Sequence, residues 1–158
     1  MKKSNSDIDF DLLWKLLTGC FTMGDNSIHG PSHWRRVEEN GLTIARRTGA
    51  DIIVVRLFAV FHDSRRVNEE TDKDHGLRAA EYAKRLRKSC IPISDKRFYL
   101  LYKACADHDT VLRSADPTIG TCWDADRIDL DRVGIIPSTK FISTAAGRKI
   151  VSAGGRLL

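Results

Sequence analysis

An all-α fold, a compact bundle of about six to seven helices, is predicted by three features of the chain. Apolar residues recur at spacings of three and four along most of its length, strand-type alternation is nearly absent, and helix-start and helix-stop residues punctuate the periodic stretches at helical lengths.

The elements follow in order. Leu12, Leu13, Leu16 and Leu17 make an amphipathic helix after Asp7 to Asp11, expected to end near Gly19. Pro31-Ser32 opens a second that carries Trp34, Val37, Gly41, Ile44 and Ala45 on one face, because proline's fixed φ suits the first helical turn. Gly49 is placed as its C-cap and Asp51 as the N-cap of the third. That third segment, Ile52-Ile53-Val54-Val55-Arg56-Leu57-Phe58-Ala59-Val60-Phe61, is apolar almost all round and belongs at the centre of the fold. Its β-branched start also reads as a buried strand, but no partner strand is in sight, so a helix is expected.

Asp72 or Asp74 can start a fourth helix through Leu77, Ala80, Tyr82, Ala83 and Leu86, broken by Ile91-Pro92. Ser94 or Asp95 caps a fifth that runs to about Asp107, with Phe98, Leu101, Tyr102 and Cys105 inward. Asp116-Pro117-Thr118 opens a sixth, expected to reach about Val133. Ser138 begins a last helical segment with Phe141, Ile142 and Ala145, and the Gly-rich stretch from Ser152 to Arg156 is expected to fray. The organisation expected is one helical domain over residues 1–150 and a flexible tail over 151–158.

Composition bounds the function. With 158 residues, 42% hydrophobic and 30% charged, the chain can bury a core of its own. Its start, Met1-Lys2-Lys3-Ser4-Asn5-Ser6, leads into acidic and amphipathic residues, unlike a secretory signal, and the longest apolar run is too short to span a bilayer. A cytoplasmic protein without a membrane partner is expected. Cys20, Cys90, Cys105 and Cys122 lack any CxxC spacing and read as reduced thiols that mostly fill the core. A formal charge of +5 favours anionic partners, yet the basic residues are dispersed among acidic ones, as on an ordinary solvated surface. There is no internal repeat and no Gly-rich phosphate loop.

The chemistry rests on five histidines. His62-Asp63 closes the most hydrophobic segment of the chain, and a buried imidazole and carboxylate need a partner; a metal ion satisfies both at once. His29 and His33 stand in His-x-x-x-His spacing, with His33 inside the second helix. His75 starts a helix and His108 ends one; the carboxylates Asp124, Asp126 and Asp129 lie close together further on. Helix ends are where side chains converge on a pocket while helix interiors stay packed. Taken singly, each of these is as well explained as a core or capping residue.

The ordered set His33-Trp34-Arg35-Arg36-Val37, then Phe61-His62-Asp63, then Ala125-Asp126-Arg127-Ile128-Asp129 resembles the HD-domain metal-dependent phosphohydrolases. Their signature is a His, a His-Asp pair and a distal Asp, each on a different helix of an all-α bundle. The resemblance covers about residues 28 to 135. It implies that His33, His62, Asp63 and Asp126 hold a divalent metal ion. Two imidazoles and two carboxylates would leave positions open for water and a substrate oxygen, and ligand type alone admits Mn²⁺, Fe²⁺, Co²⁺, Ni²⁺, Zn²⁺ or Mg²⁺.

It further implies that His62 and Asp63 are catalytic, with a carboxylate or His accepting the proton of the attacking water and cationic side chains holding the phosphoryl oxygens. His29, Arg36, Arg66, His75, His108 and Arg127 are the candidates for binding substrate. His75 and His108 also resemble the extra histidines with which some subfamilies bind a second metal, although the Gly-Tyr-Pro segment of one such subfamily is missing: after His108 the chain reads Asp109-Thr110-Val111. Arg35 and Arg36 are adjacent and diverge by about 100° on a helix, so at most one faces the site. Asp124 and Asp129 read as surface carboxylates or as acceptors that orient a ligand His.

The function expected is hydrolysis of a nucleotide or other small phosphate ester, through a metal-activated water. The alternatives are a non-catalytic metal- or nucleotide-binding module and a single-strand nuclease. Nucleic acid is the less favoured partner, because Trp34, Trp123, Phe98 and Tyr102 are spaced as core residues rather than as an exposed stacking platform. Leu13, Trp14 and Leu17 either pack inward or form the face of a homodimer.

Overall fold

The most apolar segment of the chain lies at the centre of the computed structural model, which describes residues 7–155. Among the described residues there are seven α-helices and no strand: α1 (Phe10–Cys20), α2 (Pro31–Thr48), α3 (Ile52–Phe61), α4 (His75–Leu86), α5 (Asp95–Asp107), α6 (Pro117–Ile128) and α7 (Ala145–Ser152). Two short 3-10 helices, Asp129–Val133 and Thr139–Phe141, link α6 to α7. The all-α bundle expected from periodicity is the architecture observed.

Helix α3 is the axle. Val54, Val55 and every residue from Leu57 to Phe61 are buried, and α1, α2, α4, α5 and α6 all pack on it. Fully burying one Leu, Val or Phe is worth about 1.5–3 kcal/mol, enough to override the weak helix propensity of the β-branched start. Asp51 caps α3 by accepting from the N–H groups of Ile53 and Val54, and its other oxygen takes Arg97 Nε at 2.7 Å, tying α5 to the start of α3.

Helix α2 packs broadly on α3 and α6, and α4 on α5. The close fit of α2 against α3 depends on Gly41, where an added Cβ would stand 2.5 Å from Val55 Cγ1. Pro31 and Gly49 bound α2, with Gly49 in the left-handed region at φ 70°. Leu13, Trp14 and Leu17 of α1 are buried against the rest of the fold, the inward of the two placements expected.

Several boundaries differ from expectation, each for a local reason. Helix α1 passes through Gly19 to Cys20. Neither Asp72 nor Asp74 caps α4 with its side chain: Asp74 holds the cap position without such a bond, and Asp72 instead takes Val67 N–H at 2.8 Å and Arg78 at 2.6 Å, bracing the loop before the helix. Helix α4 stops at Leu86, ahead of Ile91-Pro92. The sixth helix is α-helical only to Ile128 and continues as a 3-10 turn to Val133.

The last segment divides in two. Ser138 caps the 3-10 turn at Thr139–Phe141, whereas Thr144 caps α7 by accepting from Gly147 N–H. Buried Asp124 causes the division by accepting from Ser143 N–H, Thr144 N–H and the Thr144 hydroxyl, which holds that backbone extended. Val151 and Ser152, at the start of the expected tail, belong to α7. The reading of residues 1–6 as unlike a secretory signal and the expected tail beyond 155 concern residues outside those described.

Candidate metal centre

All five histidines of the chain come within 3.6 Å of one carboxylate, that of Asp63. The fold brings them from five places. His33 sits in the first turn of α2, His62 and Asp63 at the C-terminal end of α3, His75 at the start of α4, His108 at the C-cap of α5, and His29 in the turn before α2. Asp126 comes from the last turn of α6. Asp63, His33, His62, His75 and His108 are all buried.

The histidines fall into two groups, one on each oxygen of Asp63. On the Oδ2 side, the Nε2 atoms of His33 and His62 are 3.1 Å apart and each is 3.6 Å from Asp63 Oδ2. Asp126 Oδ1 closes this group at 3.1 Å from His33 and 3.6 Å from His62. On the Oδ1 side, the Nε2 atoms of His75 and His108 are 2.9 Å apart, at 3.1 and 3.6 Å from Oδ1. Asp63 is shared by both groups.

The ring nitrogens facing away decide what these groups can hold. His33 Nδ1 lies 2.7 Å from Asp129 Oδ2, His62 Nδ1 3.0 Å from the Ala59 carbonyl, His75 Nδ1 2.6 Å from the Asp72 carbonyl and His108 Nδ1 2.8 Å from the Cys105 carbonyl. A carbonyl or carboxylate only accepts, so Nδ1 carries the proton in each ring. Four neutral imidazoles of this tautomer would point four Nε2 lone pairs at carboxylate oxygens. Acceptors do not pack against acceptors in a buried site without a cation between them, and oriented Nδ1–H donors are the usual support of a histidine that binds metal. Each group could hold a metal ion: His33, His62 and Asp63 with Asp126 beside them, and Asp63, His75 and His108.

The electrostatics agree with that donor set. Burial works against the charge on Asp63, but the surrounding imidazoles outweigh it and hold its carboxyl well below the usual range; His33 and His62 do the same for Asp126. Burial also opposes charge on His108, yet Asp63 and Asp126 raise it to about 9. His33 is raised against its burial by Asp126 and Asp129, whereas burial keeps His62 low. Without metal, protons therefore occupy the centre between the paired rings, where a cation would replace them.

No protein-family model and no curated protein matches the chain. A solved structure does, that of a predicted HD superfamily hydrolase from an uncultured Thermotogales bacterium. It aligns with a TM-score of 0.76 and 25% identity over 92% of this chain and 84% of that one. This chain has the HD-domain fold. The resemblance drawn from His33, His62-Asp63 and Asp126 is matched by the architecture of the whole HD domain.

In this HD domain the centre opens onto a cleft of about 340 Å³. Its polar floor includes His29, Asp63, His75, His108 and Asp126. Of the arginines singled out from the sequence, Arg66 lines the cleft with its Nε buried, without a hydrogen-bond partner and 3.5 Å from Asp63 Oδ1. Arg127 lines it too, but both terminal nitrogens are spent on main-chain carbonyls, including those of Val111 and Phe141 at 2.7 and 2.8 Å. Arg36 lies off the cleft: its Nε donates to Asp129 Oδ1 at 2.8 Å, so it steadies the acceptor of His33. Arg35 faces away, over the Trp14 ring.

The stretch from Asp109 to Thr118, expected to line the pocket, does so through Asp109, Thr110, Val111 and Leu112, whereas sequence reasoning missed Arg132, Leu130 and Phe141, which line the cleft as well. Arg132 stands beyond the change to 3-10 geometry, where a helical wheel no longer gives its direction.

Proposed function

We propose that this chain is a metal-dependent phosphohydrolase that acts on a nucleotide or another small phosphate ester. The observation that carries the reading is the convergence of four Nδ1-anchored histidines on the two oxygens of Asp63, with Asp126 beside them. Divalent ions held by His33, His62, Asp63 and Asp126, and by Asp63, His75 and His108, would supply Lewis acidity, polarising a phosphoryl oxygen and making water a competent nucleophile near neutral pH.

The chain's own residues provide the rest. A carboxylate or His beside the centre accepts the proton that the attacking water gives up, while Asp63 joins the two histidine groups and His62, anchored on the Phe58 and Ala59 carbonyls, keeps a fixed ring plane beside it. His29, with Nδ1 3.1 Å from Asp63 Oδ2, orients that carboxylate from the side of the cleft. Arg66, paired with Asp63 at 3.5 Å on the cleft wall, places positive charge beside the position a phosphoryl oxygen would take. Three arginines and three aspartates line the cleft, so every divalent ion bound there leaves it net positive and suited to an anion.

The volume lies at the low end of the ~300–1,000 Å³ range of ligand pockets, which favours a small molecule over a polymer. Trp34 and Trp123 are buried, and their rings offer no platform for stacked bases. No helix among the described residues is long and apolar enough to cross a membrane, and the four cysteines are free, in keeping with a reducing cytoplasm. The test is phosphate release from a panel of nucleotides and phosphomonoesters, with Mn²⁺, Fe²⁺, Co²⁺, Ni²⁺, Zn²⁺ or Mg²⁺ restored to chelator-treated protein. Release that requires metal and is lost in His62→Ala supports the reading; ligand-induced melting shifts without any turnover would instead make this a binding module.

A further inference from the structure

The cleft has an apolar wall that the hydrolytic chemistry does not use. Val111, Leu112 and Phe141 line it while 40%, 62% and 40% exposed, and Leu130 lies half-buried among the lining residues. They come from two stretches far apart in sequence, the turn after α5 and the linker between α6 and α7. Arg127 joins those stretches. Its guanidinium donates to the main-chain carbonyls of His108, Val111 and Leu112 on one side and Phe141 on the other. Because Arg127 follows Asp126 directly, the wall is fixed in position relative to the metal centre.

Resting on the phosphohydrolase reading, we propose that the substrate is a phosphate ester whose leaving group is apolar, an aryl or bulky alkyl alcohol that lies on Val111, Leu112, Leu130 and Phe141 while its phosphoryl group sits at the His/Asp floor beside Arg66. Solvated apolar side chains gain free energy when a ligand covers them, and an arginine committed to main-chain oxygens keeps the covering surface ordered beforehand. Hydrolysis forms a P–O bond from water and breaks the ester P–O bond. The leaving oxygen takes one proton from the water and departs as the alcohol, and the other product is inorganic phosphate.

The test compares benzyl phosphate with ethyl phosphate on Mn²⁺-loaded protein, two esters with leaving alcohols of similar basicity but different apolar area. Wild type is expected to prefer benzyl phosphate in kcat/KM by about tenfold, the benefit of covering roughly 55 Å² of apolar surface. That ratio is expected to fall to about parity in Leu112→Ser/Phe141→Ser, which alters two exposed positions. Equal kcat/KM values in wild type, or an undiminished preference in the double variant, would overturn the proposal. Melting shifts with benzylphosphonate and ethylphosphonate, which are not hydrolysed, give a second readout. If neither ester is turned over but benzylphosphonate stabilises the protein more, the wall stands and the hydrolase reading falls; equal shifts remove the wall.

Discussion

The Nδ1 of His33 lies 2.7 Å from Oδ2 of Asp129, and this buried contact turns the Nε2 of His33 toward Asp63 and Asp126. Arg36 holds the other oxygen of Asp129 at 2.8 Å, so carboxylate and ring are both immobilised. Asp129→Ala is therefore expected to weaken metal affinity by roughly 10–100-fold while leaving the ligands themselves intact. Titration of the chelator-treated variant with Mn²⁺ or Zn²⁺ measures it; an affinity equal to that of wild type would make Asp129 an ordinary buried acid.

Helix α4 approaches α5 closely only because residue 76 has no side chain. A Cβ on Gly76 would stand 2.4 Å from the Cys105 carbonyl and 3.0 Å from His108 Nδ1, where neither the backbone nor the anchored ring can easily yield. Gly76→Ala is expected to destabilise the fold by about 1–3 kcal/mol, as overpacking does. It should also displace His108 from its Cys105 acceptor, so that metal uptake at His75 and His108 drops before uptake at His33 and His62. Denaturant melts and metal stoichiometry of the one variant read both effects.

Stability should depend on pH differently with and without metal. His108 in the metal-free fold is raised from 6.5 to about 9, so the stability it contributes is complete below pH 6.5 and is lost as pH rises through 9. His33 is raised as well and acts in the same direction. A shift of that size in His108 is worth on the order of 3 kcal/mol, which should lower the melting temperature of chelator-treated protein by roughly 5–10 °C between pH 6.5 and 9. Metal-loaded protein, whose histidines are neutral ligands, should be nearly flat over that window. Parallel melting curves for the two forms would contradict the exchange of protons for metal.

How much of this was legible in the sequence follows from which signals are local. Pro31, Gly49 and Asp51 mark the ends of α2 and α3 by their own backbone chemistry, and the apolar run between Asp51 and His62 could only be central. The convergence of His33, His62, Asp63 and Asp126 was readable because residue type, order and helix-end location all pointed one way. Direction was not readable for the arginines. Arg36 and Arg127 adjoin the site in sequence, yet Arg36 pairs with Asp129 and Arg127 spends its terminal nitrogens on loop carbonyls. The turn at 109–112 was expected at the pocket, but its partner Phe141 was hidden for the same reason, since Arg127 bonds the Val111 and Phe141 carbonyls across a gap in the sequence. The extended break before α7 depends on Asp124, nineteen residues from Ser143, which no local propensity records.

The central claim is that Asp63 joins two histidine groups into one metal centre, and the number of metal ions bound per chain tests it most directly. Metal analysis of protein reconstituted with Mn²⁺ or Zn²⁺ and freed of excess ion should find two per chain in wild type, one in His75→Ala and none firmly held in Asp63→Asn. Wild type that retains no metal, or Asp63→Asn that still holds two ions, would contradict the account.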